Sequence, residues 1–163
     1  MFTRTKHGAN RLSEKLDKSG ISSAAIHGNK SQNARTKALA GFKDGTIRTL
    51  VATDIAARGI DVEGISHVIN YDFPPQAEDY VHRIGRTGRA RTEGEAFTLC
   101  KPEDISMVES IEKLLGNPLP RKFVDDFSYR NDPESLTPSA PEVSRKRNRG
   151  FGKQLTFGGR RRR

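Results

Sequence analysis

Two short stretches carry residue types suited to phosphate chemistry: Val51-Ala-Thr-Asp-Ile-Ala-Ala-Arg-Gly-Ile-Asp61 and, after a gap of twenty residues, His82-Arg-Ile-Gly-Arg-Thr-Gly-Arg89. In the first, an apolar run delivers Thr53 to its end, where a hydroxyl and adjacent backbone N–H groups can bind a phosphate oxygen. Gly59 allows close backbone approach, and Asp61 is an acceptor suited to ribose hydroxyls. The plainer alternative is a strand and turn in which Thr53 or Asp54 caps a short helical turn and Arg58 is merely solvated; these residues alone leave both readings open. In the second stretch glycines alternate with arginines at the end of a helix, so Arg83, Arg86 and Arg89 can converge on one anion. A guanidinium fork binds phosphate bidentately, and arginines held at a transferring phosphoryl group contribute roughly 10³ to 10⁵ in rate. A charged surface turn is the competing reading, but it would have no use for Gly85 and Gly88, which break helices.

The elements that must position these turns follow from apolar periodicity. Leu12 and Leu16 sit four apart and Gly20 follows as a stop, which predicts a first helix. Ala24-Ala-Ile26 reads as a short strand ending at His27-Gly28. Ser31 is a helix N-cap, with Ala34, Ala38 and Phe42 on one face and an end at Asp44-Gly45. Thr49–Ala52 and His67–Asn70 read as strands, and Tyr71-Asp-Phe-Pro-Pro75 breaks the second. Gln76 to Ile84 is a short helix leading into the glycine-arginine turn, and Glu95–Leu99 a further strand. Pro102 opens a helix with Ile105, Val108, Ile111 and Leu115 on its inner stripe. Such alternation predicts an α/β fold, a mainly parallel sheet covered on both faces, with functional loops at the carboxyl ends of the strands.

Composition limits the partners. The 163 residues suffice for one domain and a tail, and a single cysteine, Cys100, excludes an internal disulfide framework. No stretch is long or apolar enough to span a membrane, and the N-terminus lacks the order of a secretory signal, so a cytoplasmic protein without a membrane partner is expected. From Glu134 onward nine Lys or Arg face two acids, so most of the net charge of +9 lies in the tail. A basic tail gives salt-sensitive, sequence-blind attraction to phosphates, or else is a solvated terminus without a dedicated partner. Phe151 and Phe157 among Gly and Arg favour RNA, since aromatics and arginines stack on unpaired bases. Residues 1–125 are read as the domain and residues 126–163 as a flexible, disordered linker, rich in Pro and Ser, followed by the basic tail.

The ordered set of motifs resembles the second, C-terminal RecA-like lobe of a DEAD-box ATP-dependent RNA helicase, most similar to the bacterial RhlE type. Phe2-Thr-Arg-Thr-Lys6 resembles the family's motif IV, and His27-Gly28 with Gln32-Asn-Ala-Arg35 its Gln-x-x-Arg element. Val51 to Asp61 resembles motif V, Val68 to Pro74 the strand after it, and Asp79 to Arg89 motif VI. The resemblance implies a RecA-like sheet with Arg86 and Arg89 as arginine fingers at ATP, and with Gly59 and Asp61 lining the nucleotide. It implies that Thr5, Gly8, Gly28, Gln32, Arg35 and Thr53 hold the sugar-phosphate backbone of single-stranded RNA, and that His82 couples the two sites across the lobes. ATP with Mg²⁺ would be bound mainly by an N-terminal RecA-like lobe, the partner expected beside RNA.

Asn29 stands where many members have Asp, a small change expected to be tolerated. The sequence contains no Gly-x-x-x-x-Gly-Lys-Ser/Thr phosphate loop and no Asp-Glu-Ala-Asp box, so this half of a site is not expected to hydrolyse ATP alone. A non-catalytic RNA-binding module acting without ATP is the alternative function. A DNA helicase of the wider superfamily is disfavoured by the Gln-x-x-Arg and Ala-Arg-Gly-Ile-Asp elements. Only Met1 and Phe2 stand where the family has a full apolar strand, and a shortened strand exposes apolar area and unpaired backbone groups. The chain by itself is therefore expected to melt below about 65 °C, the upper end for ordinary mesophile domains, and a higher midpoint by calorimetry would contradict this.

Overall fold

The sheet is assembled around a single residue near the N-terminus. The computed structural model describes residues 1–60, 62, 64–88 and 94–129. Strand β1 (Ser23–Ile26) pairs in parallel with β2 (Thr49–Ala52), and β3 (His67–Asn70) pairs in parallel with β4 (Glu95–Thr98). Phe2 forms parallel bridges to both Ala52 and Asn70 and so joins the two pairs. Its N–H donates to the Ile69 carbonyl at 2.8 Å, its carbonyl accepts from Tyr71 N at 3.0 Å, and Thr3 N donates to the Ala52 carbonyl at 3.0 Å. The resulting order is β1, β2, the Phe2 segment, β3, β4. Every pairing is parallel, so all carboxyl ends lie along one edge.

Side-chain alternation decides what covers the sheet. Adjacent strand residues point to opposite faces, and Leu50 packs with Ala38 of α2 (Gln32–Lys43) while Val51 packs with Ala9 and Leu12 of α1 (Lys6–Lys18). The two helices therefore lie on opposite faces, as the alternating pattern predicts. A third cluster joins Phe73, Tyr80 of α4 (Ala77–Ile84) and Val108 and Ile111 of α5 (Ile105–Leu115). A short helical turn, α3 (Asp54–Ala57), follows β2 directly.

Local details explain the boundaries. Helix α1 begins at Lys6, well ahead of the Leu12–Leu16 pattern, because Thr5 caps it by accepting from Gly8 N at 3.0 Å. Ser31 caps α2 as expected, accepting from Ala34 N at 3.2 Å. The apolar face expected of α2 needs one correction: Ala38 is buried and Phe42 half-buried, but Ala34 is exposed in the first turn, before the helix reaches the sheet. Gly41 has a packing reason, since a Cβ there would stand 2.8 Å from Ile47 Cδ1. Pro102 opens a 3-10 turn (Pro102–Asp104) that runs into α5.

Beyond α5, residues 117–129 form no helix or strand. The expected Pro- and Ser-rich linker and basic tail lie, from Arg130 onward, outside the described residues. Among the described residues no helix is long and apolar enough to cross a membrane.

Phe2 is 7% exposed and links both halves of the sheet. Phe2→Ala is expected to cost about 3–5 kcal/mol in urea unfolding, and a loss below about 1 kcal/mol would mean that the halves are joined by something else.

Candidate nucleotide and nucleic-acid site

Arg83 organises the site from within. It lies on α4, is 1% exposed, and grips Asp54 of α3 with two parallel hydrogen bonds, Nε to Oδ1 at 2.6 Å and NH2 to Oδ2 at 2.7 Å. Its remaining nitrogen donates to Asn70 Oδ1 at 3.3 Å, on the last residue of β3, and to the Asp72 carbonyl at 2.7 Å, just past it. The guanidinium carbon lies 5.1 Å from the centre of the Phe2 ring, a cation–π distance. One side chain thus connects both motif-bearing turns to the central segment. The expectation that Arg83 joins Arg86 and Arg89 on a common anion is corrected here: its donors are spent on Asp54, Asn70 and Asp72, so it serves as a strut.

With Arg83 turned inward, the neighbouring residues form a cleft of ≈ 280 Å³. Gly59, His82 and Arg86 line it together with Asp54, Arg58 and Asp79. Gly59 has φ +78°, and no atom stands within 4 Å of where a Cβ would be, so the glycine serves the backbone conformation and leaves the space before it open. Arg86 is half-buried, its Nε donating to the His82 carbonyl at 3.2 Å. Among the described residues Arg86 forms no ion pair, whereas Arg58, 77% exposed, stands 3.7 Å from Asp79. His82 is exposed toward the cleft and is not a core imidazole. The Thr87 hydroxyl donates to the Ile65 carbonyl, pinning the glycine-arginine turn to the chain that leads into β3. Asp61 and Arg89 lie outside the described residues.

The second group of expected site residues follows the carboxyl ends of neighbouring parallel strands. Thr5 and Gly8 stand at the start of α1 just after the Phe2 segment, Gly28 follows β1, and Gln32 and Arg35 occupy the first turn of α2. Thr53 follows β2, is half-buried, and donates its N–H to the Ile26 carbonyl at 3.3 Å. It occupies the cap position of α3 without a side-chain capping bond, so its hydroxyl is not used in the way the plainer reading supposed. The N-termini of α1 and α2 bring orphan backbone N–H groups and positive dipole ends to this edge. Arg35 donates through NH1 to Gln32 Oε1 at 3.3 Å, while its buried Nε has no hydrogen-bond partner among the described residues. Lys6, His7 and Lys30 belong to the same edge. Such a surface suits a run of phosphates.

A twisted parallel sheet with helices on both faces and a phosphate-suited carboxyl edge defines a RecA-like lobe. The family model for the helicase conserved C-terminal domain matches residues 1–91, and the chain belongs to that family, as the C-terminal lobe of a DEAD-box protein. The chain is 42% identical over 149 residues to the ATP-dependent rRNA helicase RRP3 of Candida glabrata, covering 91% of this chain and 30% of that protein. It thus spans about a third of the length of this curated relative. Among solved structures, Escherichia coli DEAD-box protein SrmB bound to regulator of ribonuclease activity A superposes with TM-score 0.76 at 33% identity, over 80% of this chain and 77% of that one. A variant of Saccharomyces cerevisiae Dbp5 bound to RNA and ADP BeF3 gives TM-score 0.66 at 34% identity, over 71% and 32%.

Sequence reasoning missed the partner of Arg83, although one signal was available. Arg83 sits three residues after Tyr80, on the same helical face as that buried ring. Removing Arg83 leaves Asp54, 24% exposed, without its matching charge and leaves Asn70 Oδ1 and the Asp72 carbonyl without their donor. Arg83→Ala is therefore expected to cost about 3–5 kcal/mol in denaturant unfolding, whereas Arg58→Ala should cost under about 1 kcal/mol as an exposed pair; comparable losses would contradict the strut.

Proposed function

We propose that the chain is the second lobe of an ATP-dependent DEAD-box RNA helicase, of the RhlE type that its motifs resemble. Arg86 and Arg89 act as arginine fingers on ATP bound mainly by the N-terminal lobe. Gly59 and Asp61 line the nucleotide, with Asp61 at the ribose. Thr5, Gly8, Gly28, Gln32, Arg35 and Thr53 hold the sugar-phosphate backbone of single-stranded RNA, and His82 couples the two sites between the lobes. ATP and RNA close the lobes together, a strand is bent and a short duplex opens locally, and hydrolysis releases the product.

The observation that carries this reading is that Arg86, without an ion-pair partner among the described residues, shares one cleft with Gly59 and His82. The volume of ≈ 280 Å³ falls just below the roughly 300–1,000 Å³ of complete small-molecule sites, as suits one wall of a nucleotide site shared with a second lobe. Two carboxylates of the cleft already face arginines, Asp54 at 2.6 Å from Arg83 and Asp79 at 3.7 Å from Arg58. The described part of the cleft therefore fits the phosphates of a nucleotide better than its Mg²⁺, which the proposal assigns to the other lobe.

With a matching first lobe joined to the chain, Arg86→Ala and Arg89→Ala are each expected to lower RNA-stimulated ATP hydrolysis by about 10³ or more, with RNA affinity changed by less than about threefold. Equal loss of hydrolysis and RNA binding would contradict the finger assignment. RNA binding that ignores ATP in the joined protein would favour the non-catalytic module.

A further inference from the structure

His27 is the most deeply buried titratable side chain of the proposed RNA edge, and phosphate recognition makes no use of it. It is 3% exposed at the last position before Gly28. Its Nε2 lies 3.0 Å from Asn10 Oδ1 on α1, one turn away from the Thr5–Gly8 cap. Its carbonyl accepts from Lys30 N at 3.0 Å, closing the turn that carries Gly28 and delivers the chain to the Ser31 cap of α2. The imidazole thus stands between the two backbone segments that the proposed function sets against one RNA strand.

The chemistry of the pair sets the tautomer of the neutral ring. An amide oxygen only accepts, so Nε2 carries the proton and donates it. The other ring nitrogen, Nδ1, is buried and has no hydrogen-bond partner among the described residues. A neutral ring leaves Nδ1 as an unsatisfied acceptor; a protonated ring would place an unpaired N–H and a full charge in the same buried position, at greater cost. The charged or titratable groups acting on the ring are Lys30 on its own turn and Lys6 and His7 on α1, each cationic or able to become so. Resting on the RNA-binding reading above, we propose that neutral His27 is a positioning residue: its bond to Asn10 keeps the first turn of α1 in register with Gly28 and α2, and protonation at Nδ1, which puts a charge and an unpaired N–H in the buried position, drives the ring out of it, so that the register is lost and RNA binding weakens.

Burial first, and then Lys30, Lys6 and His7, draw the His27 imidazole below the ordinary value of 6.5. A folded-state value below the unfolded one means that the unfolded chain takes up the proton first. The contribution of His27 to stability is therefore complete above the ordinary value of 6.5 and is lost as pH falls below it. Acid should act on affinity in the same direction. That direction is informative, because added positive charge on a phosphate-binding surface by itself strengthens attraction.

The test uses the whole chain, a labelled uridine decamer and fluorescence anisotropy at fixed salt. The affinity of the unsubstituted chain is expected to fall at least about threefold from about pH 7.5 to about pH 5.5. His27→Gln, whose amide N–H can still donate to Asn10, should bind within about twofold at the higher pH and lose the acid-dependent fall, while His7→Gln should keep it. Asn10→Ala, which leaves the histidine in place, should weaken binding about fivefold at neutral pH through loss of one part-buried hydrogen bond. An acid fall retained in His27→Gln, no fall in the unsubstituted chain, or unchanged affinity in Asn10→Ala would each overturn the proposal. Absence of RNA binding at every pH would sink the functional reading instead. The His27–Asn10 strut would then be judged by urea unfolding, where His27→Gln should flatten the acid loss of stability and a parallel loss in both proteins would overturn it.

Discussion

The site depends on one buried cation finding all its partners. Arg83 is removed from water almost completely, and a guanidinium in that position is tolerable only when its charge is matched and its donors are used. Asp54 supplies the matching charge in a two-bond fork, and Asn70 and the Asp72 carbonyl take the remaining contacts. These partners come from two separate segments, so the requirement to satisfy Arg83 locks α4 against the turn after β2 and against the end of β3. The Arg58–Asp79 pair beside it imposes no comparable constraint, because Arg58 is 77% exposed, the pair is 3.7 Å apart and solvent screens it.

Parallel pairing supplies the rest of the arrangement. Because β1, β2, the Phe2 segment, β3 and β4 run in one direction, the turns that follow them emerge along a common edge. The cleft lined by Gly59, His82 and Arg86 and the starts of α1 and α2 both lie on that edge. Phe2 is central to both halves, since it closes the sheet with its backbone and lies under Arg83 with its ring. A shift of Phe2 would therefore reach the sheet and the cleft together.

Much of the fold was legible because its elements are simple in pattern. The apolar runs at Thr49–Ala52 and His67–Asn70 define strands without help from distant residues, and Ser31 announces the start of α2 by its chemistry alone. The cleft was partly legible, since Gly59, His82 and Arg86 come together as their motifs imply. What failed to show was which arginine is used for structure. Spacing puts Arg83 and Arg86 one helical turn apart, but only burial against Asp54 separates the strut from the residue left facing the cleft. Phe2 was equally obscure as a strand, because a single bridging residue has no periodicity to read. The His27–Asn10 contact joins residues seventeen apart and depends on how α1 packs over the end of β1.

The measurement closest to the central claim is a crystal structure of the two lobes joined, trapped with ADP, beryllium fluoride and single-stranded RNA. The account predicts the Arg86 guanidinium within about 3 Å of the fluoride that mimics the transferred phosphate, the Gly59 backbone against the nucleotide, and the RNA backbone along the first turns of α1 and α2. A closed complex in which the nucleotide is bound while Arg86 points into solvent, or in which RNA crosses another face of the lobe, would contradict it.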